Sequence, residues 1–313
     1  MSSSDQTSTT PSEILPPLTA ASIERVKQGV ASARDRTIRQ IIEDTLSELE
    51  SIQTKNSTAK IDAGIRKFVL RSLIHWAFQV EVEKPENIPQ TPAILAVNHL
   101  HHLDPLLLLA ELPTQPYYYI LGDARTLYNK WWKRLILKVA GGVIPLARIW
   151  KEEVAVIQAA KTGREDLINL AKLIETNVPT GGEIHILRQI DRIVLGILAH
   201  GDSLIIFPEG RLGTQEGQLH LPLKRGTVIY ALRAGVPIVP AALIGTQDLF
   251  WGKKLTVRFG EPLHFSTTVR PNRQEVEAAL ATLQNAIASL LPHDYQEPAG
   301  IKPLRHFLNH MLW

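Results

Sequence analysis

The chain has 313 residues, with 34 Lys and Arg against 31 Asp and Glu, a formal net charge of +3, and no cysteine. This length suits one large α/β domain with extensions or two small domains, and the charge balance is too mild to indicate nucleic acid as a partner. The lack of cysteine excludes disulfides, thiolate metal sites and a cysteine nucleophile.

The N-terminal residues divide into a leader and a helical region. Residues 1–20, MSSSDQTSTTPSEILPPLTA, lack the basic start and apolar core of a secretory signal and are predicted to be disordered. Residues 21–77 form a helical N-terminal region, in which the apolar spacing over 21–53 predicts a helix or a helical hairpin. No apolar run reaches the roughly 18 residues that a membrane span requires, so we expect no spanning helix.

Residues 78–270 show short aliphatic or aromatic runs separated by helical periodicity. The predicted strands are FQVEV, AILAV, YYYIL, VIPLA, SLIIF, PIVPAAL and LTVRF. This alternation predicts an α/β domain, with a largely parallel sheet covered by helices on both faces. Residues 151–179 are predicted as a helical addition to it. Residues 271–313 are predicted as a C-terminal helix, over about 272–291, and a tail.

Two predicted helices have the composition of membrane-surface segments. KWWKRLILK (130–138) combines two tryptophans with four cations, and RKFVLRSLIHW (66–76) is similar. Interfacial helices have this composition. An ordinary amphipathic helix that packs on a core and extends its cations to water has it too, so both interpretations stay open.

The stretch AILAVNHLHHLDPLLLL (93–109) holds the strongest candidates for chemistry. Asn98 and His99 follow a buried strand, and Asp104 and Pro105 begin a helix. Open α/β sheets bind ligands in the crevice beyond strand ends. Four residues separate His99 from Asp104, so across the turn the carboxylate can reach the ring and fix its tautomer. The other ring nitrogen is then a general base.

The same stretch allows two other interpretations. Asp104 before a proline is a good helix cap that needs no chemistry, and this role is compatible with orienting the histidine. His99, His101, His102 and Asp104 also resemble metal ligands. No second ligand cluster stands out, and the two adjacent histidines are expected to point apart, so we expect no metal. Neither a G-x-S-x-G elbow nor a nucleotide-binding loop occurs.

Polar residues follow two further predicted strands. Glu209, Gly210 and Arg211 come after LIIF, and Arg148 ends GGVIPLAR. A base, a carboxylate on a flexible turn and two arginines at neighbouring strand ends suit a phosphorylated ligand beside a hydroxyl to be deprotonated. Taken singly, each arginine is more simply explained as a surface cation.

Together these blocks resemble the glycerolipid acyltransferases of the lysophosphatidic acid acyltransferase type. NHLHHLDP resembles the first block of that family, GVIPLAR (142–148) the second, FPEG (207–210) the third and VPIVPAAL (236–243) the fourth. VEVEKPENIP (80–89) and LPLKRGTVIYALRAG (221–235) are also similar. The resemblance covers residues 78–262, with four blocks in order.

The resemblance implies transfer of a fatty acyl group from acyl-CoA or acyl carrier protein to an acceptor hydroxyl, without an acyl-enzyme or a cofactor. His99 is implied as the general base and Asp104 as its orienter. The implied contacts with the acceptor and its phosphate are Arg148, Glu209, Gly210, Arg211 and Lys224. The third block of the family usually continues with threonine and then arginine, whereas here Arg211 directly follows Gly210. The role of Arg211, and with it the identity of the acceptor, therefore does not carry over directly from the family.

The favoured function is acylation of 1-acylglycerol-3-phosphate in phospholipid biosynthesis, by a protein bound peripherally to the anionic inner face of the cytoplasmic membrane. Glycerol-3-phosphate or another lysolipid is the nearest alternative acceptor. A catalytically idle lipid-binding protein and a metal-dependent hydrolase are the alternatives from other classes.

Overall fold

A computed structural model describes residues 15–52, 62–146, 149–178 and 184–311. Residues 1–14 of the predicted leader lie outside these ranges. The described residues form one seven-stranded sheet in the order β1-β7-β6-β2-β5-β3-β4. Its strands are β1 Gln79–Glu83, β2 Ile94–Val97, β3 Tyr118–Asp123, β4 Val143–Leu146, β5 Ser203–Ile206, β6 Ile238–Ile244 and β7 Lys254–Phe259. All seven predicted strands are confirmed.

Neighbouring strands are parallel except for β6 and β7, which are antiparallel. The helices are α1 Ala20–Arg34, α2 Arg36–Ile52, α3 Ala63–Ala77, α4 Asp104–Glu111, α5 Ala124–Leu127, α6 Trp131–Ala140, α7 Lys151–Lys161, α8 Ile168–Asn177, α9 Ile184–Ala199, α10 Gly226–Ala234, α11 Arg273–Leu290 and α12 Arg305–His310. The predicted tail contains α12, which is too short to show a helical period in the sequence.

Helices cover both faces of the sheet, so its central strands are buried on both sides. Along β2, Leu95 and Val97 point to one face and Ile94 and Ala96 to the other, and all four are buried. Leu95 and Val97 share a core with apolar residues of α3 and α4. α10 and α11 pack against β2 and β6. The predicted fold class is confirmed.

The chain divides into two compact units. One comprises Met1–Ile41 and Ala147–Ile186, and the other comprises Ile42–Leu146 and Leu187–Trp313. In the first unit, α1 packs on α7 and α8 through a core that includes Val26, Val156 and Ile174. The second unit contains the whole sheet. The helical addition, α7 and α8, thus packs with α1. The two segments are more than a hundred residues apart in the chain, so their order in the sequence does not indicate this contact.

Candidate active site

The loop between β2 and α4, residues 98–103, is fixed at its start by Asn98. The Asn98 side-chain amide donates to the carbonyl oxygen of Leu243 at 3.0 Å, and its oxygen accepts the N–H of Leu243 at 2.7 Å. Leu243 lies in β6, which is parallel to β2. The loop therefore begins at a defined position at the carboxyl ends of these two strands.

His99 and Asp104 form a buried hydrogen-bonded pair. Nδ1 of His99 lies 2.9 Å from Oδ2 of Asp104, whose side chain is fully buried, while the His99 side chain is 16% exposed. The same oxygen accepts the backbone N–H groups of Leu100 at 2.7 Å and His101 at 2.9 Å. Because a carboxylate only accepts hydrogen bonds, Nδ1 carries the ring proton. Nε2 is then the ring nitrogen that can take a proton.

The geometry of Asp104 distinguishes the two roles that the sequence allowed, a cap of α4 and a residue that orients His99. Asp104 is the first residue of α4, and the start of this helix has no side-chain cap. The carboxylate turns back onto the N–H groups of Leu100 and His101, which precede the helix. The interpretation of Asp104 as a helix cap is wrong, and its contacts are those of a residue that orients His99.

The two neighbouring histidines are not arranged as metal ligands. The ring of His102 lies with its centroid 6.5 Å from that of His99 and 6.4 Å from that of His101. Burial lowers the pKa of His101, and it lowers the pKa of His102 to about 3. Nowhere in the described ranges do three or more His, Asp or Glu side chains converge as a possible metal site.

Glu209 joins the first and third blocks through the backbone. Its Oε1 accepts the N–H of His99 at 2.8 Å, and its Oε2 accepts the N–H of His220 at 2.7 Å. Burial raises the pKa of Glu209, although these two hydrogen bonds oppose the shift. The turn that follows needs glycine, because Gly210 has φ +65°. Each carboxylate oxygen thus accepts a backbone N–H group, and through the first of these Glu209 fixes the position of His99; its predicted contact with the acceptor stays a prediction.

Phe207 contacts the His99 ring directly. The two rings stack with their centroids 4.1 Å apart and their planes 23° from parallel. In the sequence, Phe207 ends the predicted strand SLIIF and begins FPEG, and neither pattern assigns it a contact with His99. Its place directly after β5, the strand beside β2, was the available signal. Phe207 thus packs on the face of the imidazole, whereas Asp104 contacts Nδ1 at its edge.

Two of the three predicted cations, Arg211 and Lys224, lie within the described residues. The Arg211 guanidinium donates to Nδ1 of His220 at 2.8 Å. Lys224 has an exposed side chain, and its backbone N–H donates to the carbonyl of Pro208 at 2.7 Å. Arg148 lies outside the described residues. Arg211 and Lys224 therefore follow Glu209 on the same connection between β5 and α10.

The segment 130–138 is only in part an exposed interfacial helix. Trp131 is 75% exposed, whereas Trp132 packs against the core. Lys133 is buried, its Nζ donates to the carbonyl of Thr126 at 3.1 Å, and burial lowers its pKa to about 8. The charge of the buried Lys133 contributes to lowering the pKa of His102. Of the two interpretations that the sequence left open for this segment, Trp132 and Lys133 fit the helix that packs on a core, and the exposed Trp131 fits either.

Comparison with known proteins agrees with the four sequence blocks. The family model described as Acyltransferase matches residues 79–244, more than half of the chain. The chain is 33% identical over 98 residues to the 1-acyl-sn-glycerol-3-phosphate acyltransferase of Bacillus subtilis (strain 168). The aligned region covers 30% of this chain and 47% of that protein. This chain therefore spans about half the length of that relative.

A solved structure is also similar. It is the crystal structure of the 1-acyl-sn-glycerophosphate (LPA) acyltransferase, PlsC, from Thermotoga maritima, with 17% sequence identity and a TM-score of 0.39. The match covers 86% of this chain and 89% of that chain. The extent of the family match decides the assignment: the chain belongs to the Acyltransferase family.

Proposed function

We propose that the chain transfers a fatty acyl group from a thioester, acyl-CoA or acyl carrier protein, to the free hydroxyl of 1-acylglycerol-3-phosphate in phospholipid biosynthesis. The observation that carries this proposal is the 2.9 Å contact between His99 Nδ1 and Asp104 Oδ2. It leaves Nε2 of a partly exposed imidazole as a general base at the carboxyl edge of the sheet.

In this mechanism, Nε2 of His99 takes the proton of the acceptor hydroxyl as its oxygen attacks the thioester carbonyl carbon. The tetrahedral intermediate then expels the thiolate, which receives the same proton from the imidazolium. Asp104 stabilises the imidazolium while it exists. The ester forms, the carbon–sulfur bond breaks, and no covalent enzyme intermediate or cofactor is required.

A phosphorylated acceptor is supported by cations near the loop that carries Glu209. Arg211 and Lys224 extend from this connection, and Lys133 is a buried cation near His102. Guanidinium and ammonium groups bind phosphate oxygens through charge-assisted hydrogen bonds. Arg148 remains a proposed contact from the second block. The similarity to the 1-acyl-sn-glycerol-3-phosphate acyltransferase of Bacillus subtilis supports the same acceptor.

The test is a matrix of purified enzyme with acyl-CoA and acyl carrier protein thioesters against 1-acylglycerol-3-phosphate, glycerol-3-phosphate and a lysophospholipid without a terminal phosphate monoester. We expect transfer to 1-acylglycerol-3-phosphate, lost in His99→Ala. Faster transfer to glycerol-3-phosphate would replace the proposed acceptor. Binding of lipid without transfer to any acceptor would favour the idle lipid-binding protein.

The enzyme must also reach a lipid acceptor. No helix in the described parts of the chain is long and apolar enough to cross a membrane. We propose peripheral binding to an anionic membrane surface through α3, whose outer face carries Ile65, Phe68, Leu73 and Trp76, each more than half exposed. Trp131 and Leu135 of the adjoining α6 are exposed as well. Large exposed apolar patches of this kind mark interaction surfaces.

α3 is tied on its inner side to the helix that begins with Asp104. The buried Glu111 at the end of α4 pairs with Arg71 and His75 of α3, both at 2.7 Å. We therefore expect Phe68→Ser with Trp76→Ser to weaken sedimentation with anionic vesicles and to raise the apparent KM for a vesicle-borne acceptor. Transfer to a detergent-dispersed acceptor should change little. Val269→Ser, at an exposed position near α10, is the control, and equal vesicle binding by all variants would contradict the proposed surface.

A further inference from the structure

The segment that leaves β6 is held at both ends by asparagine side chains. At its start, Leu243 forms two hydrogen bonds with the side chain of Asn98, which opens the loop between β2 and α4. At its end, Leu249 is held in the same way by Asn309 of α12: Oδ1 of Asn309 accepts the N–H of Leu249 at 2.9 Å, and Nδ2 donates to the carbonyl of Leu249 at 2.8 Å. We call residues 243–249 the β6 exit and the loop between β2 and α4 the catalytic loop. The β6 exit therefore joins the catalytic loop to α12.

Asn309 is fixed on its own helix as well. Its Nδ2 donates to the carbonyl of Arg305 at 2.7 Å, one turn earlier in α12, so the two N–H groups of the amide join two backbone segments. The Arg305 guanidinium lies 2.7 Å from Asp248 of the β6 exit, and the Lys302 ammonium lies 2.8 Å from the same carboxylate. These contacts attach α12 and the residues before it to the β6 exit.

The same helix reaches the catalytic loop itself, at His101. The imidazole of His101 is buried, and its Nδ1 accepts the N–H of Leu103 at 3.1 Å. Burial lowers the pKa of His101, and a hydrogen bond with the backbone of Asn309 opposes this shift. The backbone N–H of His101 donates to Oδ2 of Asp104 at 2.9 Å, the atom that also contacts the His99 ring. One residue, His101, therefore separates Asn309 from the carboxylate that orients the base.

The β6 exit supports the catalytic loop from a second direction. The carbonyl of His99 accepts the N–H of Gly213 at 2.6 Å. The carbonyl of the next residue, Thr214, accepts a side-chain N–H of Gln247 in the β6 exit. Oε1 of Gln247 accepts the N–H of Glu216 at 3.1 Å, and the Gln247 N–H donates to Oε1 of Glu216 at 2.9 Å. His99 thus lies between two paths of hydrogen bonds, and both of them lead to the β6 exit that Asn309 holds.

We propose that Asn309 is a positioning residue for acyl transfer, through which α12 holds the catalytic loop and its general base in place. The inference rests on the proposed function, because that function makes His99 the base. Asn309 acts through His101 and the β6 exit, and not on the reacting atoms. The family model ends at residue 244, so both Leu249 and Asn309 lie beyond it. The C-terminal segment thus adds to the active site a support that the four sequence blocks do not contain.

Asn309→Ala removes the hydrogen bonds to Leu249 and Arg305 and leaves the other side chains of α12 unchanged. The β6 exit and the backbone beside His101 are then free to shift. Because a displacement of about 1 Å at a reacting group can cost about 10² in rate, we expect kcat to fall by a factor of about 10 to 100. KM for the thioester and for a detergent-dispersed acceptor should stay within about twofold, since Asn309 acts on the base and not on a binding contact.

Asn272→Ala is the matched control, because it also removes an asparagine that bonds to the backbone. Oδ1 of Asn272 accepts the N–H of Glu275 at 3.0 Å at the start of α11, which packs against β6. Loss of such a helix cap lowers stability, and the cap is not part of either path to His99. We expect a lower midpoint of thermal unfolding and wild-type kcat. Gln247→Ala interrupts the second path and should lower kcat as Asn309→Ala does, so it tests the proposal if Asn309→Ala does not fold.

The ring nitrogens of His99 give a readout that needs no substrate. In protein whose histidines carry a nitrogen isotope label, the NMR signals of His99 are identified by their absence in His99→Ala. Wild type should show the tautomer with the proton on Nδ1, as the contact with Asp104 requires. We expect Asn309→Ala and Gln247→Ala to reduce the population of this tautomer, and Asn272→Ala to leave it unchanged.

Two results would overturn the proposal. One is a folded Asn309→Ala, or a folded Gln247→Ala if Asn309→Ala does not fold, with wild-type kcat and wild-type His99 signals. The other is an equal loss of kcat in Asn309→Ala and Asn272→Ala at equal loss of stability, which would make α12 a source of stability only. A wild type that transfers no acyl group, with His99 signals that change in Asn309→Ala and not in Asn272→Ala, would support the positioning of His99 while the proposed function failed.

Discussion

Replacing Asp104 by asparagine tests the proposed dyad with little change of shape. The side-chain oxygen of asparagine can accept the same N–H groups of Leu100 and His101, and the ring N–H of His99, that Oδ2 accepts now. The nitrogen of asparagine would take the place of Oδ1, which has no hydrogen-bond partner. The loop keeps its hydrogen bonds, and the charge opposite the imidazolium is lost.

The size of the effect follows from the geometry. At 2.9 Å, a full imidazolium–carboxylate pair is worth about 6 kcal/mol at an effective dielectric constant of about 20, an upper bound because His99 is partly exposed. Since roughly 1.4 kcal/mol changes a rate tenfold, the loss in kcat is bounded at about 10⁴. Allowing for screening and for residual hydrogen bonding, we expect a loss of about 10² to 10⁴.

The assay measures kcat at saturating thioester, and the midpoint of thermal unfolding for the same preparation. Asp62→Asn is the control, because Asp62 caps α3 by accepting the N–H of Ile65 and has no part in the dyad. We expect both variants to unfold near the wild-type temperature and Asp104→Asn alone to lose turnover. A variant that loses stability and activity in similar modest proportion would refute the orienting role.

Three further predictions concern neighbouring groups. His99→Ala should lower kcat by a factor of about 10² to 10⁴ without unfolding the protein. His102→Ala should lower kcat far less. Equal losses of kcat in steady-state assays of the two variants would contradict a single general base. Glu209→Gln should lower both stability, by about 1–3 kcal/mol in denaturant titrations, and kcat, because the amide nitrogen must face the N–H of His99 or His220; wild-type values for both would contradict this role. Burial raises the pKa of Glu216, so the folded state holds that proton more tightly than the unfolded state. The contribution of Glu216 to stability should then be lost as pH rises from about 4.3 to the raised pKa, so the unfolding temperature of wild type relative to Glu216→Gln should fall over that window; parallel curves of unfolding temperature against pH would contradict it.

The sheet could be predicted from sequence because its signal is local. Each strand is a short apolar run, and burial on both faces makes that run continuous rather than alternating. β6, for example, is buried at every position. The pairing of the helical addition with α1 could not be predicted, because both partners are ordinary amphipathic helices whose apolar faces do not specify each other. The same applies to α6, where Trp131 and Trp132 are adjacent but only Trp131 is exposed.

The candidate site could be predicted in its residue types but not in all of their contacts. His99 and Asp104 could be paired because their spacing confines them to one turn. Glu209 was predicted to contact substrate, and nothing in FPEG shows that both its oxygens accept backbone N–H groups from elsewhere. A hydrogen bond between a side chain and the backbone of a distant segment depends on tertiary approach. It is therefore absent from any local pattern.

The spacing of the first block has a physical explanation in this loop. Strand β2 ends at Val97, and α4 begins at Asp104. The residues between them form one turn, which directs the first backbone N–H groups of the turn toward the start of α4. The N–H groups of Leu100 and His101 and the ring of His99 all converge on one carboxylate oxygen. A carboxylate one residue later would begin about 100° around the helix. It would lose the hydrogen bonds from the backbone and from the histidine ring together. The four-residue separation between His99 and Asp104 is therefore required both by the loop and by the histidine–aspartate pair.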